Sequence, residues 1–283
     1  GWPLDQARDR EYPVTGLPTP GGTGRVDYVL WGADGLPLAV VEAKRTTKSA
    51  LEGQEQARRY ADALEAQFAR RPLIFYTNGY DHWFWDDAAF GEAGGYPPRE
   101  IEGFFTADEL ERLIQRRTVR QDLTDVPVNV DIAGRPYQLE AISAVGQALA
   151  ARQRDALLVM ATGTGKTRTA IALVDQLIRG NWVKRVLFLA DRTALVRQAK
   201  RAFAANLPDT AVVNLQDEKR GEGRVYTATY PTMLNLLEHD GQDGGTRRFG
   251  AGYFDLVIID EAHRSVYQKY LSLIHISEPT RRR

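Results

Sequence analysis

The chain has 283 residues, 37 basic and 37 acidic side chains, 43% hydrophobic content and no cysteine. That length allows two ordinary domains of a soluble globular protein, and the absence of cysteine excludes disulfides and thiolate metal sites while fitting the cytoplasm. There is no run of eighteen apolar residues and no basic-then-apolar leader, so neither a membrane span nor a secretory signal is visible; zero net charge excludes a blanket of positive charge, though not one basic groove.

The chain starts at Gly1 without an initiator methionine, in a loop-like stretch holding Pro13, Gly16, Pro18, Pro20, Gly21 and Gly22, and this end is expected to be cut. Arg25–Trp31 alternates at period two, a turn follows at Gly32–Gly35, and Leu38–Lys44 reads as a second, strongly apolar strand. Residues i and i+2 of a strand share a face, so Glu42 and Lys44 project together toward whatever Asp27 faces across the hairpin. Two carboxylates suit Mg²⁺, and a lysine beside them can position or deprotonate a water and stabilise phosphate charge: the arrangement of a metal-dependent nuclease. A surface ion pair is the commoner origin of such a triplet. Three features count against it: the charges end an apolar strand, the preceding strand delivers an aspartate just before the hairpin, and the helix expected over Ala50–Arg70 places Gln56 and Tyr60 on one face.

Leu73–Thr77 and His82–Trp85 read as strands joined at Asn78-Gly79, a hairpin signal, with Trp83, Phe84 and Trp85 expected in the core rather than as a stacking surface. Thr106 and Glu109 have capping-box spacing at the start of a helix whose basic end, Arg116–Arg120, reads first as a solvated helix end and second as a DNA contact. The pattern breaks around Pro127 and Gly134, which places a linker at 119–134 between a domain at 1–118 and one at 135–270. From about Tyr137 helices and strands alternate: a helix to Ala150, LLVM (Leu157–Met160), a helix to Ile178, VLFLA, a helix over Thr193–Asn206, VYTAT, a helix from Thr232, and DLVIID. That rhythm predicts a parallel sheet covered by helices.

Between LLVM and the next helix lies Met160-Ala-Thr162-Gly163-Thr164-Gly165-Lys166-Thr167. A glycine-rich turn at a helix start turns backbone N–H groups toward a triphosphate, Lys166 reaches the outer phosphates and Thr167 can ligate Mg²⁺. Asp260-Glu261-Ala262-His263, behind the apolar run LVII, supplies the partner: Asp260 for the metal, Glu261 to orient or deprotonate the attacking water. The two motifs together predict ATP binding and hydrolysis.

These residues resemble the R (restriction or motor) subunit of type I restriction enzymes over about Gly1 to Tyr270. Asp27 with Glu42-Ala-Lys44 looks like its nuclease motif, Gln56 and Tyr60 like its Q-x-x-x-Y motif, and IFYTNGY, VMATGTGKTRT and GYFDLVIIDEAHRSVYQKY like its text. Met160 stands where the general phosphate-loop pattern has glycine. The resemblance implies an α/β chain, a restriction-endonuclease-like mixed-sheet domain followed by a truncated RecA-like parallel-sheet domain similar to superfamily 2 helicases. It implies Gln138 against the adenine ring; Thr193, Gln198, Thr229 and Thr232 against DNA backbone; ATP and Mg²⁺ as cofactors; and double-stranded DNA with specificity and methyltransferase subunits as partners, with no membrane. Leu271–Arg281 resembles the one-frame translation of a sequencing adapter, so 271–283 is expected to be foreign, and without a second RecA-like domain weak ATP binding and negligible DNA-stimulated turnover are expected. A single-chain restriction-modification enzyme, a repair-type helicase with a nuclease-like domain and a non-catalytic DNA-binding fragment remain open alternatives.

Overall fold

The computed structural model describes residues 2–239 and 248–261, which fall into two compact units that meet in sequence at Thr118 and Val119. Ala262, His263 and the 271–283 tail lie outside the described residues.

The first unit holds a six-stranded sheet in the order β1 (Arg10–Thr15), β2 (Thr23–Trp31), β3 (Pro37–Ala43), β4 (Leu73–Thr77), β5 (His82–Trp85) and β6 (Arg99–Ile101). All neighbours are antiparallel except β3 and β4. A parallel pair needs a crossover, and α1 (Gln54–Phe68) provides it, entered through a 3₁₀ turn at Ala50–Gly53. Two helices cover the sheet, which is why β3 and β4 read as apolar runs rather than alternations. Val40, Ile74 and Tyr76 pack with Ala57, Ala61 and Leu64 of α1. Val41, Phe75 and Phe84 pack with Phe105 and with Leu110 of α2 (Ala107–Val119). Phe84 is buried, as expected of the aromatic cluster, and Trp83 and Trp85 flank it half-buried on the α1 side.

The capping box at α2 is formed: Glu109 accepts from Thr106 N at 2.9 Å and Thr106 Oγ1 accepts from Glu109 N at 3.4 Å. Within the basic end of α2, Arg117 is neither solvated nor free for a ligand; it is buried against Asp86 at 2.8 Å. The Asn78-Gly79 hairpin has four loop residues, since Thr77 pairs with His82. Two strands of this unit escape the sequence pattern. β6 is only three residues long, and β1 contains Pro13, which argues against a strand except at a sheet edge, where β1 lies.

The second unit carries a four-stranded parallel sheet in the order β10 (Leu256–Ile259), β7 (Val186–Ala190), β9 (Val225–Thr229) and β8 (Val212–Asn214). Its helices are α3 (Pro136–Ala150), α4 (Lys166–Arg179), α5 (Thr193–Asn206) and α6 (Tyr230–His239). The expected strand Leu157–Met160 is not one: the segment joins no sheet, and Leu157 and Val159 are 80% and 87% exposed. A four-residue strand is held only by an edge that accepts it, and among the described residues neither β10 nor β8 pairs with it. Residues 119–134, expected as a linker, are packed down instead: Leu123, Val126 and Ile132 are buried, and Gln176 of α4 donates to the carbonyls of Leu123 and Val126 at 3.2 and 2.7 Å.

Candidate active sites

In the first unit the chemistry gathers where β3 ends beside β4 and the start of α1. Glu42 is 3% exposed, on the strand that runs between the two cores. Lys44 lies one residue beyond that strand; its Nζ donates to Glu42 Oε1 at 2.6 Å and to Gln56 Oε1 at 2.7 Å. Gln56 Nε2 in turn donates to Tyr60 Oη at 2.8 Å. The i, i+4 spacing on α1 thus becomes a relay that fixes the ammonium. Gly53 leaves room for it, since a Cβ there would meet Glu42 Cγ at 3.1 Å and Lys44 Cε at 3.4 Å. Asp27 Oδ2 accepts from Ala43 N at 2.7 Å, which holds Asp27 against the end of β3.

Burial pushes the Glu42 carboxyl up to about 7; the Lys44 hydrogen bond opposes this, and the charges of Asp27 and, more weakly, Glu11 add to it. Glu42 Oε2 is buried with no hydrogen-bond partner among the described residues. An orphaned anionic oxygen beside a second carboxylate is a donor set that fits a hard divalent cation. No three carboxylate or imidazole groups among the described residues converge into a ready-made cage, so Asp27 and Glu42 alone would supply the acidic donors here.

In the second unit the parallel strands bring their C-terminal ends to one side, the side on which open α/β sheets bind ligands. Gly163 and Gly165 adopt φ of 79° and 90°, the left-handed conformation that lets the loop turn into α4. Lys166 begins that helix, and its Nζ meets Glu261 Oε1 at 3.1 Å just beyond β10. Asp260, half-buried beside it, has its carboxyl raised first by burial and then by the Glu261 charge, against the pull of the Glu261 backbone N–H, which donates to Asp260 Oδ1 at 3.1 Å, and of Lys166. Thr167 follows in the first helical turn, half-buried, and Thr162 is exposed at the loop's entry.

Gln138 is 4% exposed with both ends of its amide engaged: Oε1 accepts from Arg135 N at 3.2 Å and Nε2 donates to Thr164 O at 3.1 Å. Tyr137 Oη also donates to Thr164 O, at 2.9 Å, and Thr164 Oγ1 to Ala161 O at 2.6 Å. Gln138 therefore ties the start of α3 to the phosphate loop, where the resemblance implied an adenine contact. A cleft of about 410 Å³ opens beside it, lined by Ile132, Arg135, Gln138, Gly163, Gly165 and Arg168.

Three of the four residues implied to touch DNA are joined by hydrogen bonds: Thr229 and Thr232 hydroxyls are 2.9 Å apart, and Gln216 Nε2 donates to Thr193 at 3.2 Å and to Thr229 at 3.5 Å. Gln198 is exposed on α5 and makes no such bond among the described residues. Gln216 carried no motif; its only signal is a polar residue just after a short strand. Glu11, whose charge reaches Glu42, was hidden by the proline two residues later.

Comparison with known proteins agrees with both units. The family described as type III restriction enzyme, res subunit, matches residues 131–282, more than half of the chain, and the type I restriction enzyme R protein N terminus matches residues 10–91. The EcoAI type I endonuclease subunit of Escherichia coli is 35% identical over 84% of this chain and 29% of its own length. The EcoKI endonuclease subunit of E. coli K12 is 27% identical over 90% and 25%. The chain thus spans under a third of the length of these relatives. A fragment of a type I HsdR subunit from Vibrio vulnificus YJ016 matches with 25% identity over 97% of this chain and 50% of that one, at a TM-score of 0.38. The chain belongs to the family described as type III restriction enzyme, res subunit, and, with the R-protein N terminus preceding that domain, it is an N-terminal portion of a type I restriction enzyme R subunit.

Proposed function

We propose that this chain is the nuclease module and first motor module of an ATP-dependent type I restriction endonuclease, acting on duplex DNA beside specificity and methyltransferase subunits. The observation that carries the nuclease half is Lys44, bridging Glu42 and Gln56 next to Asp27. Asp27 and Glu42 would hold Mg²⁺, which supplies phosphate polarisation and water activation. The chain's own part is to fix Lys44. Tyr60 supports Gln56, Gln56 accepts from the ammonium, and the ammonium held beside the carboxylates would neutralise charge on a scissile phosphate.

The second module reads as the nucleotide site. Gly163, Thr164 and Gly165 would offer backbone N–H groups to the phosphates, Lys166 would leave Glu261 for them, and Thr167 and Asp260 would share the Mg²⁺ that accompanies ATP. Glu261, once released, would orient water. Gln138 would shape the cleft by holding Thr164, and reading an adenine edge would require it to exchange one of its present bonds.

Lys44→Ala tests the nuclease reading with supercoiled plasmid and Mg²⁺. A fall in nicking of at least about 100-fold is expected, in the range of losing one transition-state charge contact. Equal rates for parent and variant would remove the site. The genes beside the complete reading frame test the partners: specificity and methyltransferase genes are expected there.

A further inference from the structure

The stretch IFYTNGY, residues 74–80, runs out of β4 into the loop before β5, and the nuclease centre makes no use of its last residues. β3 and β4 are parallel neighbours with Ala43 beside Thr77, and Lys44 N donates to Thr77 O at 2.7 Å. The loops that follow, residues 44–48 and 78–81, therefore leave the sheet side by side. They are also bonded to each other, since Asn78 Nδ2 donates to the Lys48 carbonyl at 3.0 Å.

Asn78 is buried and holds its loop from within. Its Oδ1 accepts from Tyr80 N at 3.0 Å and from Asp81 N at 2.8 Å, and its own N–H donates to the Asp81 carbonyl at 3.3 Å. Thr77 Oγ1 accepts from Gly79 N at 2.9 Å, and Gly79 supplies a left-handed turn at φ 91° that a side chain would strain. Side-chain bonds of this kind stand in for a backbone turn and give the tip one defined shape. Tyr80 sits at that tip, 79% exposed, its ring and hydroxyl without a partner among the described residues.

A single exposed aromatic on a loose loop is ordinary. A fixed backbone beneath it is different, because the tip's freedom is then lost on folding rather than on binding. The surroundings show which partner suits the ring. Arg45, Thr46, Thr47 and Lys48 are exposed on the adjoining loop, directly after the lysine that meets Glu42. Of the acidic groups beside them, Glu52 is paired with Lys48 at 3.2 Å and Asp81 accepts from Asn78 Nδ2 at 3.2 Å. Cations and hydroxyls suit backbone phosphates, and a rigid ring suits the face of a base.

We propose that Tyr80 is a DNA-contact residue on the lip of the nuclease site, its ring stacking on an accessible base of the strand being cut while Arg45 meets a backbone phosphate. The proposal rests on the reading of Glu42 and Lys44 as a nuclease centre. It adds a contact that sets how tightly the strand is held, not how fast the bond breaks.

Binding of a fluorescein-labelled single-stranded oligonucleotide to the whole chain, with Ca²⁺ in place of Mg²⁺ and read by anisotropy across a salt series, tests this. Tyr80→Ala should weaken binding about tenfold, as loss of one base stack does, and leave the salt slope unchanged. Tyr80→Phe, which keeps the ring, should bind like the parent. Arg45→Ala should instead make the slope shallower by about 0.7, one phosphate contact on a single strand. Tyr80→Ala should melt at the parent temperature, and in plasmid nicking with Mg²⁺ it should raise KM with kcat unchanged. Equal affinity of Tyr80→Ala and the parent would refute the stack and leave the ring to a protein partner. A Tyr80→Phe variant as weak as Tyr80→Ala would refute it too, since the hydroxyl would then carry the contact. Nicking by Lys44→Ala at the parent rate would remove the underlying centre instead, whatever Tyr80 does to affinity.

Discussion

Glu42 shows how one buried carboxyl couples cation binding to stability. Its carboxyl titrates at about 7 in the folded chain, above the 4.5 of an unperturbed glutamate, because burial disfavours the anion more than Lys44 favours it. A raised folded value means that the protonated form is the one the fold prefers. Its contribution is complete below pH 4.5 and is lost as pH rises through 7, at most about 3 kcal/mol over that window. In buffer with a chelator, the urea midpoint of the first unit should therefore fall between pH 5 and pH 8, and Glu42→Gln should flatten that fall. A variant with the same slope as the parent would show that other groups carry it. A divalent cation requires the anion, so Mn²⁺ affinity should rise across the same window.

At the scale of elements, α2 is fixed to the sheet by charge as well as by Leu110. Arg117 contacts Asp86 at 2.8 Å and donates to the carbonyl of Arg71, with both charged side chains under a tenth exposed. Removing one partner strands the other without solvent, so Arg117→Ala should cost about 3–5 kcal/mol by chemical denaturation, while Arg117→Met combined with Asp86→Leu should cost far less. A double variant as weak as the single one would show that packing, not uncompensated charge, sets the loss. The sequence could not show this role, because a run of arginines at a helix end looks the same whether it meets water or a buried aspartate. It did show α1, α2, the strands β3 and β4 and the glycine-rich turn before α4, where apolar period, cap and glycine positions agree. It misled at Leu157–Met160, since an apolar tetrad announces a strand but not whether an edge will receive it. It missed β1 for the converse reason: Pro13 is tolerated only because β1 has a neighbour on one side. With β1 went Glu11. Asp27, Glu42, Lys44, Gln56 and Tyr60 were legible because their spacing within strand and helix already sets which of them can meet; the reach of the Glu11 charge to Glu42 depends on how the strands register, which spacing within one strand does not fix.

For the whole chain, the consequence of two compact units is that each should answer to its own ligand. Asp27 and Glu42 belong to the first, whereas the phosphate loop and Asp260 belong to the second. A ligand bound only by the folded state stabilises by about 1.4 kcal/mol at ten times its dissociation constant. For a unit of this size that is a rise of roughly 4–6 °C in its own melting transition. Calorimetry should therefore resolve two transitions. Mn²⁺ alone should raise one of them, an effect lost in Asp27→Asn. At a fixed Mg²⁺ concentration, adding a non-hydrolysable ATP analogue should raise the other, an effect lost in Lys166→Ala because the phosphates lose their cation. A single transition shifted equally by both ligands would mean that the units melt as one.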